Sequence, residues 1–338
     1  MIADAIVAAL AVACAAALYL THLEAPRTLW LGALHDRNGH YAYAAGIALA
    51  IRDLDPVRLL QDLYNARVWP PLHGLLLAPV LAAFGPDFRL AGVVSAAAWA
   101  ATMLGAFMIA RRLLADAAAG LAAGAAAALW IAASPAMRAY GVDAMLESLG
   151  AALSVFALLG YIRVRERPAD MRRWAQLGLV LTLLFFEKGN YWGLVVAALA
   201  AAATTVAPRA AWSWIRGEAA KRTQRGFIRG ALWHPIGLAA AIVLCAVAAI
   251  TLNGPTTVVL FGSSVSLHPP ENLLTVGYAL VFLRIAQIWY AGRAAFAAAV
   301  PAGARRLFAW HVLPIALSFL VPKRLAAFLW FVGPTNLP

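Results

Sequence analysis

Apolar runs of near-uniform length, separated by short polar connections, pattern this chain from Ile2 onward. A helix that crosses a bilayer needs roughly 20 such residues, because the hydrocarbon layer is about 30 Å thick and each residue rises about 1.5 Å. On that template spanning runs fall near residues 2–21, 89–110, 115–133, 144–162, 174–188, 190–207, 235–252, 274–292 and 306–321. The many Ala-rich stretches form helices with small faces that pack closely in lipid, and no repeat is visible along the chain. The pattern predicts an all-α fold, a polytopic transmembrane helical bundle, read as one integral domain over 1–338.

Two connections are long. The first, 22–88, carries two helix-like pieces, 39–52 and 56–67, followed by "WPPLHGLLLAPVLAAFG" (69–85). The apolar part of that last stretch is too short to span, so it is placed at the membrane interface with Trp69 at headgroup level. The whole connection reads as a folded lid with interfacial helices. The second, 208–234, alternates Trp212, Trp214, Phe227 and Trp233 with bases and reads as an interfacial amphipathic segment. The closing "FLWFVGPTNLP" follows an apolar run too short to cross, which leads us to expect a C-terminally incomplete chain.

Composition agrees with the pattern: 64% of residues are hydrophobic, 12% are charged and mean hydropathy is +0.78, outside the range of soluble domains. The first run has no basic leader region and no small-residue cleavage site, so it reads as a retained helix. The net charge of +12 suggests nucleic acid until the bases are placed. With Met1 taken as cytoplasmic, most Arg and Lys fall in the inner connections and the outer ones balance, so topology accounts for the charge. Anionic lipid headgroups are the expected partners, and no nucleic acid is needed. Cys14 and Cys245 sit inside apolar runs and make no disulfide framework.

The polar residues that remain gather on the outer side. "LHDRNGHYAY" (34–43) brings His35, Asp36, Arg37, Asn38 and His40 together just beyond the first run. Asp36 or Asn38 has the chemistry of a helix cap for a helix starting near Gly39. An Asp among cations also stays ionised, as a base or cation ligand must. In "RAYGVDAMLESLG" (138–150), Asp143 and Glu147 are four apart, on one face of a helix, with Arg138 near enough in sequence to neutralise one of them. "FFEKGNYWG" (185–193) sets Glu187, Lys188, Asn190 and Tyr191 between two apolar runs; a turn explains Gly189 and Asn190 but not the two charges. Lys323 and Arg324, in "VPKR", read either as interfacial anchors or as cations for a phosphate.

On these residues the chain resembles the membrane-embedded GT-C glycosyltransferases, in particular the bacterial relatives of protein O-mannosyltransferases and of the aminoarabinose transferase that modifies lipid A. The resemblance rests on the order of a first span, a long outer loop with Asp36 early in it, "PPLHGLLLAPVLAAFG", "RLAGVVSAAAWAATMLGAFMIARRLL", "SPAMRAYGVDAMLES" and "FFEKGNYWG". It implies an enzyme of the bacterial inner membrane that transfers a sugar, with inversion, from a polyprenyl-phosphate donor to a protein, lipid or glycan acceptor on the periplasmic side. It further implies that Asp36 is the first-loop catalytic aspartate, with Asp143 the better and Glu147 the competing match for the second-loop acid. Two departures stand out: Arg37 follows Asp36 where the mannosyltransferases carry Glu, and His73 comes after Pro-Pro rather than before it.

Such a transfer needs a base for the nucleophile and cations for the departing phosphate. Asp36 is the candidate base, and Arg37, Arg138, Lys188, Lys323 and Arg324 are the candidate cations. A divalent cation, Mg or Mn, is compatible with hard oxygen ligands such as Asp36 and Asp143. The rival class is a secondary transporter or lipid flippase, for which inverted repeats and midplane charges are expected; apart from Arg284 the sequence shows neither.

Overall fold

A computed structural model describes residues 2–24, 36–65, 70–206, 234–254, 257–260, 262–266, 271–321, 323–325 and 328. His35, Trp69, the amphipathic connection at 208–233 and the closing residues 329–338 lie outside them. The described chain is helical apart from one hairpin. Five helices are long and apolar enough to cross a membrane: Ile2–Glu24, Phe88–Leu113, Glu147–Glu166, Pro235–Asn253 and Leu273–Ala294. The chain divides into two compact units, one made of Met1–Ala201, Gly303–Ile315 and Ala327–Pro338, the other of Ala202–Ala302 and Ala316–Ala326.

The first unit contains α1 (Ile2–Glu24), α2 (Asp36–Arg52), α3 (Pro56–Asn65), α4 (Leu72–Phe84), α5 (Val93–Leu113), α6 (Ala117–Ala133), α7 (Pro135–Tyr140), α8 (Glu147–Glu166), α9 (Met171–Glu187) and most of α10 (Gly189–Val206). α5 is its centre and packs on α1, α6 and α8. Small residues permit this. A Cβ on Gly120 would stand 2.7 Å from the Arg111 carbonyl oxygen, and one on Gly124 would stand 2.7 Å from the Phe107 ring, so α6 lies against α5 backbone to backbone. Local chemistry sets the helix starts. Asp116 accepts from the Ala119 amide at 2.6 Å and Asp170 from the Arg172 amide at 3.0 Å, each satisfying a donor that the first turn leaves unpaired.

In the 22–88 connection, α2 and α4 bury Tyr43, Ala44, Ile47 and Ala48 against Leu77, Ala78 and Leu81. The helix expected from Gly39 begins at Asp36, so Asp36 opens the helix rather than preceding it. Gly85, at φ +94, ends α4 with its amide on the Leu81 carbonyl.

The two ends of this unit differ in chemistry. At one, Asp4 pairs with Arg111, and Glu166 with Arg112 and Arg173. At the other, the Tyr19 hydroxyl at the end of α1 donates to the Arg89 carbonyl just before α5, and the acids of the α7–α8 region meet cations from α2 and from the α9–α10 junction.

The run expected to span at 306–321 is helical from Ala302 to Ser318, with a π-helical turn, Phe308–Val312, inside it. The Thr182 hydroxyl of α9 donates to the Trp310 carbonyl at 2.7 Å. A side chain entering the backbone ladder in this way widens the turn. His311, beside it, accepts from Trp192 Nε1 at 3.1 Å.

In the second unit, α11 (Pro235–Asn253) packs on α12 (Glu271–Ala299). Between them in sequence lies an antiparallel hairpin, Thr257–Leu260 with Ser263–Ser266, that the periodicity reading does not anticipate. Gly262 supplies its positive φ, +81. Arg284, the one base placed within a span, donates to Gln287 at 3.1 Å on its own helix.

Candidate active site

The site grows from the start of α2. Arg37 donates Nε to Oδ1 of Asp143 at 2.8 Å and Nη2 to Oδ2 at 2.7 Å, the fork-on-carboxylate geometry that only Arg provides. Both side chains are largely buried, at 13% and 9% exposed. The hydrogen bonds to Asp143 raise the Arg37 pKa further above its ordinary value, outweighing the opposing effect of burial, so the guanidinium stays charged. The loop that presents Asp143 is held by α5. The buried Ser95 hydroxyl donates to the Asp143 carbonyl. Gly92 lies so close that a Cβ would meet the Val142 carbonyl oxygen at 2.3 Å.

A second pair lies at the α9–α10 junction, where Lys188 is the sole residue between the two helices. Its Nζ donates to Oε1 of Glu147, the first residue of α8, and stands 4.7 Å from the centre of the Tyr191 ring. The other carboxylate oxygen of Glu147 is buried and has no hydrogen-bond partner among the described residues. Asn190 is exposed and bonds only locally, accepting from the Tyr191 amide at 2.9 Å.

These contacts correct three expectations. Asp143 and Glu147 do not share a helix face, because α8 begins at Glu147 and Asp143 sits in the preceding bend. Their partners are Arg37 and Lys188 rather than Arg138. Glu187, expected to interrupt two apolar runs at the outer boundary, is fully buried, because α9 runs on to Glu187 and turns its last residue inward against His73 of α4. His73 is equally buried, with its ring 6.2 Å from that of His40.

Arg138 has no side-chain hydrogen bond or ion pair among the described residues. It lines a pocket of about 480 Å³ with Leu18, Thr21, His22, Ala139 and Val142. Val142 joins that pocket to Asp143 in sequence. His22 and Ser95 are not among the residues singled out from sequence. For His22 the available signal is a polar side chain in the last turn of the first span. For Ser95 there is none, since an isolated Ser in an Ala-rich helix is unremarkable.

The Asp36 side chain, like the whole of His35, lies outside the described residues, while its backbone places it next to Arg37. Lys323 and Arg324 belong to the second unit. Both Asp143 oxygens accept from Arg37, and the described residues contain no group of three or more His, Cys, Asp or Glu arranged to hold a metal ion. Asp143 is thereby engaged as the counter-ion of Arg37 rather than offered to a divalent cation.

No protein-family model, curated protein or solved structure matches the chain.

Proposed function

We propose that the protein transfers a sugar from a polyprenyl-phosphate donor to a hydroxyl acceptor at the extracytoplasmic face of the bacterial inner membrane, with inversion. The observation that carries this reading is the Arg37–Asp143 fork. It ties the start of α2, where Asp36 stands one residue before Arg37 in sequence, to the bend between α7 and α8 that carries Asp143.

The acceptor oxygen attacks the anomeric carbon from the face opposite the phosphate. The bond from that carbon to the phosphate oxygen breaks, the acceptor proton passes to the Asp36 carboxylate, and polyprenyl phosphate leaves with one more negative charge. Arg138 is the cation best suited to meet that charge, because Arg37 and Lys188 are already engaged with acids. An apolar groove of about 390 Å³ between α1 and α5, lined by Val12, Ala16, Ala97 and Leu104 among others, suits an isoprenoid tail. Asp143 acts on Arg37, and through it on the start of α2.

The test is to incubate membranes containing the protein with labelled polyprenyl-phosphate sugar, with and without excess free polyprenyl phosphate. Transfer of label, competed by the free lipid, is expected. Movement of a solute or lipid across proteoliposomes without transfer supports the transporter or flippase reading instead.

A further inference from the structure

The reaction above leaves unused the most deeply buried polar pair in the molecule's described residues. His73 and Glu187 are both fully buried, with Nδ1 and Oε1 3.6 Å apart. Neither ring nitrogen and neither carboxyl oxygen has a hydrogen-bond partner among the described residues. An ionised carboxylate held there alone would give up its hydration for nothing, and so would a lone imidazolium. A net-neutral pair avoids both penalties. It has one proton beyond the imidazole's own, carried either by the carboxyl group or by the ring, and an approach of less than an ångström makes it a charge-assisted hydrogen bond.

The pair's position gives it a task. His73 lies in the first turn of α4, whose Gly74 packs so tightly on α2 that a Cβ would stand 2.5 Å from Tyr43 Cδ1 and 3.5 Å from the His40 carbonyl oxygen. α2 is the helix that begins at Asp36 and Arg37. Glu187 is the last residue of α9, and the next residue is Lys188, bonded to Glu147. The titratable and charged groups facing the pair are His40 from α2, Lys188 from the α9–α10 junction and, through Lys188, Glu147 from α8.

We propose that His73 and Glu187 are a buried positioning dyad that holds one shared proton and, by locking α4 to the end of α9, fixes Lys188 relative to the start of α2. Gaining or losing that proton charges the pair inside the core and releases α4 from α9. The consequence for catalysis rests on the sugar-transfer reading; the dyad itself does not.

The experiment uses the full chain in lipid nanodiscs. Isotope-edited infrared and histidine ¹⁵N spectra, assigned with Glu187→Gln and His73→Asn, report the protonation of the two groups. A protonated carboxyl beside a neutral ring, or a carboxylate beside an imidazolium, is the expected result. A carboxylate beside a neutral ring, or a carboxyl beside an imidazolium, overturns the proposal. In parallel, reductive methylation of Lys188 is followed by mass spectrometry. Each of Glu187→Ala and His73→Ala should raise its rate about tenfold, and the double variant no further, since contacting residues that act through one link are not additive. Unchanged rates, or effects that add, overturn it. If the alanine variants do not fold, Glu187→Gln and His73→Asn carry the same comparison. Absence of sugar transfer by the native protein would sink the proposed function while leaving the spectra and the methylation rates to decide the dyad.

Discussion

Arg37 and Asp143, 106 residues apart in sequence, are joined by two parallel hydrogen bonds of 2.8 and 2.7 Å. One end of the pair is the second residue of α2 and the other is a bend between two helices, so the contact sets where the first loop stands over the bundle. Removing one partner leaves a charge with little access to water. Arg37→Ala should therefore destabilise the protein by about 3 kcal/mol, toward the low end for breaking a buried pair because both groups retain some exposure. Arg37→Lys should recover only part of this, because an ammonium cannot make the fork. Thermal unfolding in detergent checks both, and a full rescue by Lys would show that charge alone matters.

The close approach of Gly92 to the Val142 carbonyl gives a test of loop placement. Gly92→Ala puts a methyl group where 2.3 Å separates it from backbone, so residues 142–146 must shift. The expected cost is about 1–3 kcal/mol, the usual range for overpacking, with loss of transfer through displacement of Asp143. Gly193→Ala, where a Cβ meets nothing within 4 Å in the interior of α10, is the control and should raise stability slightly, by up to about 1 kcal/mol, because Ala is the better helix former.

Arg138 makes no ion pair among the described residues and faces a pocket, so its removal should spare stability. Arg138→Ala is expected to lower kcat/KM for the polyprenyl-phosphate donor about tenfold or more, with kcat falling as well because the phosphate gains charge as it departs, and with the unfolding temperature unchanged. A drop in stability with unaltered kcat/KM would assign Arg138 a structural role.

Asp87 supplies a dependence on acid. The Arg89 guanidinium and amide hold its carboxyl below the usual range, with Nε to Oδ2 at 2.8 Å and N to Oδ1 at 2.9 Å. The folded value therefore lies under the unfolded one. The stabilisation is complete above the unfolded value, about 4, and vanishes as pH falls through the folded value. Asp87→Asn should lower stability at neutral pH by well under about 1 kcal/mol, since the pair is exposed, and should match the native protein near pH 2. A deficit that persists in acid would point to the loop backbone instead.

Helix positions were largely legible because hydropathy and cap chemistry are local. The run at 2–21 is α1 and the run at 235–252 is α11, while the cap read at Asp36 or Asn38 is displaced because the helix already opens at Asp36. What is not local was missed. The π-helical turn inside the 306–321 run coincides with a hydrogen bond from Thr182, more than a hundred residues earlier. The "TVVLFGSSVS" hairpin is too short and too apolar for period-two alternation to stand out against helix. The site divides in the same way. The residue types and their gathering at one end were visible, yet the choice of Arg37 over Arg138 as the partner of Asp143 is set by where α2 lies, and that depends on its packing against α4. The inward turn of Glu187 likewise needs His73 opposite it, which no reading of "FFEKG" alone supplies.

The role proposed for Asp36, taking the acceptor's proton during sugar transfer, is tested by turnover of labelled polyprenyl-phosphate sugar in membranes carrying the native protein or Asp36→Asn at matched expression and matched unfolding temperature. Transfer by the native protein and its loss in Asp36→Asn, by at least about a hundredfold for removal of a general base, is the predicted result. Equal transfer by the two, or none by the native protein with any donor sugar, contradicts the account.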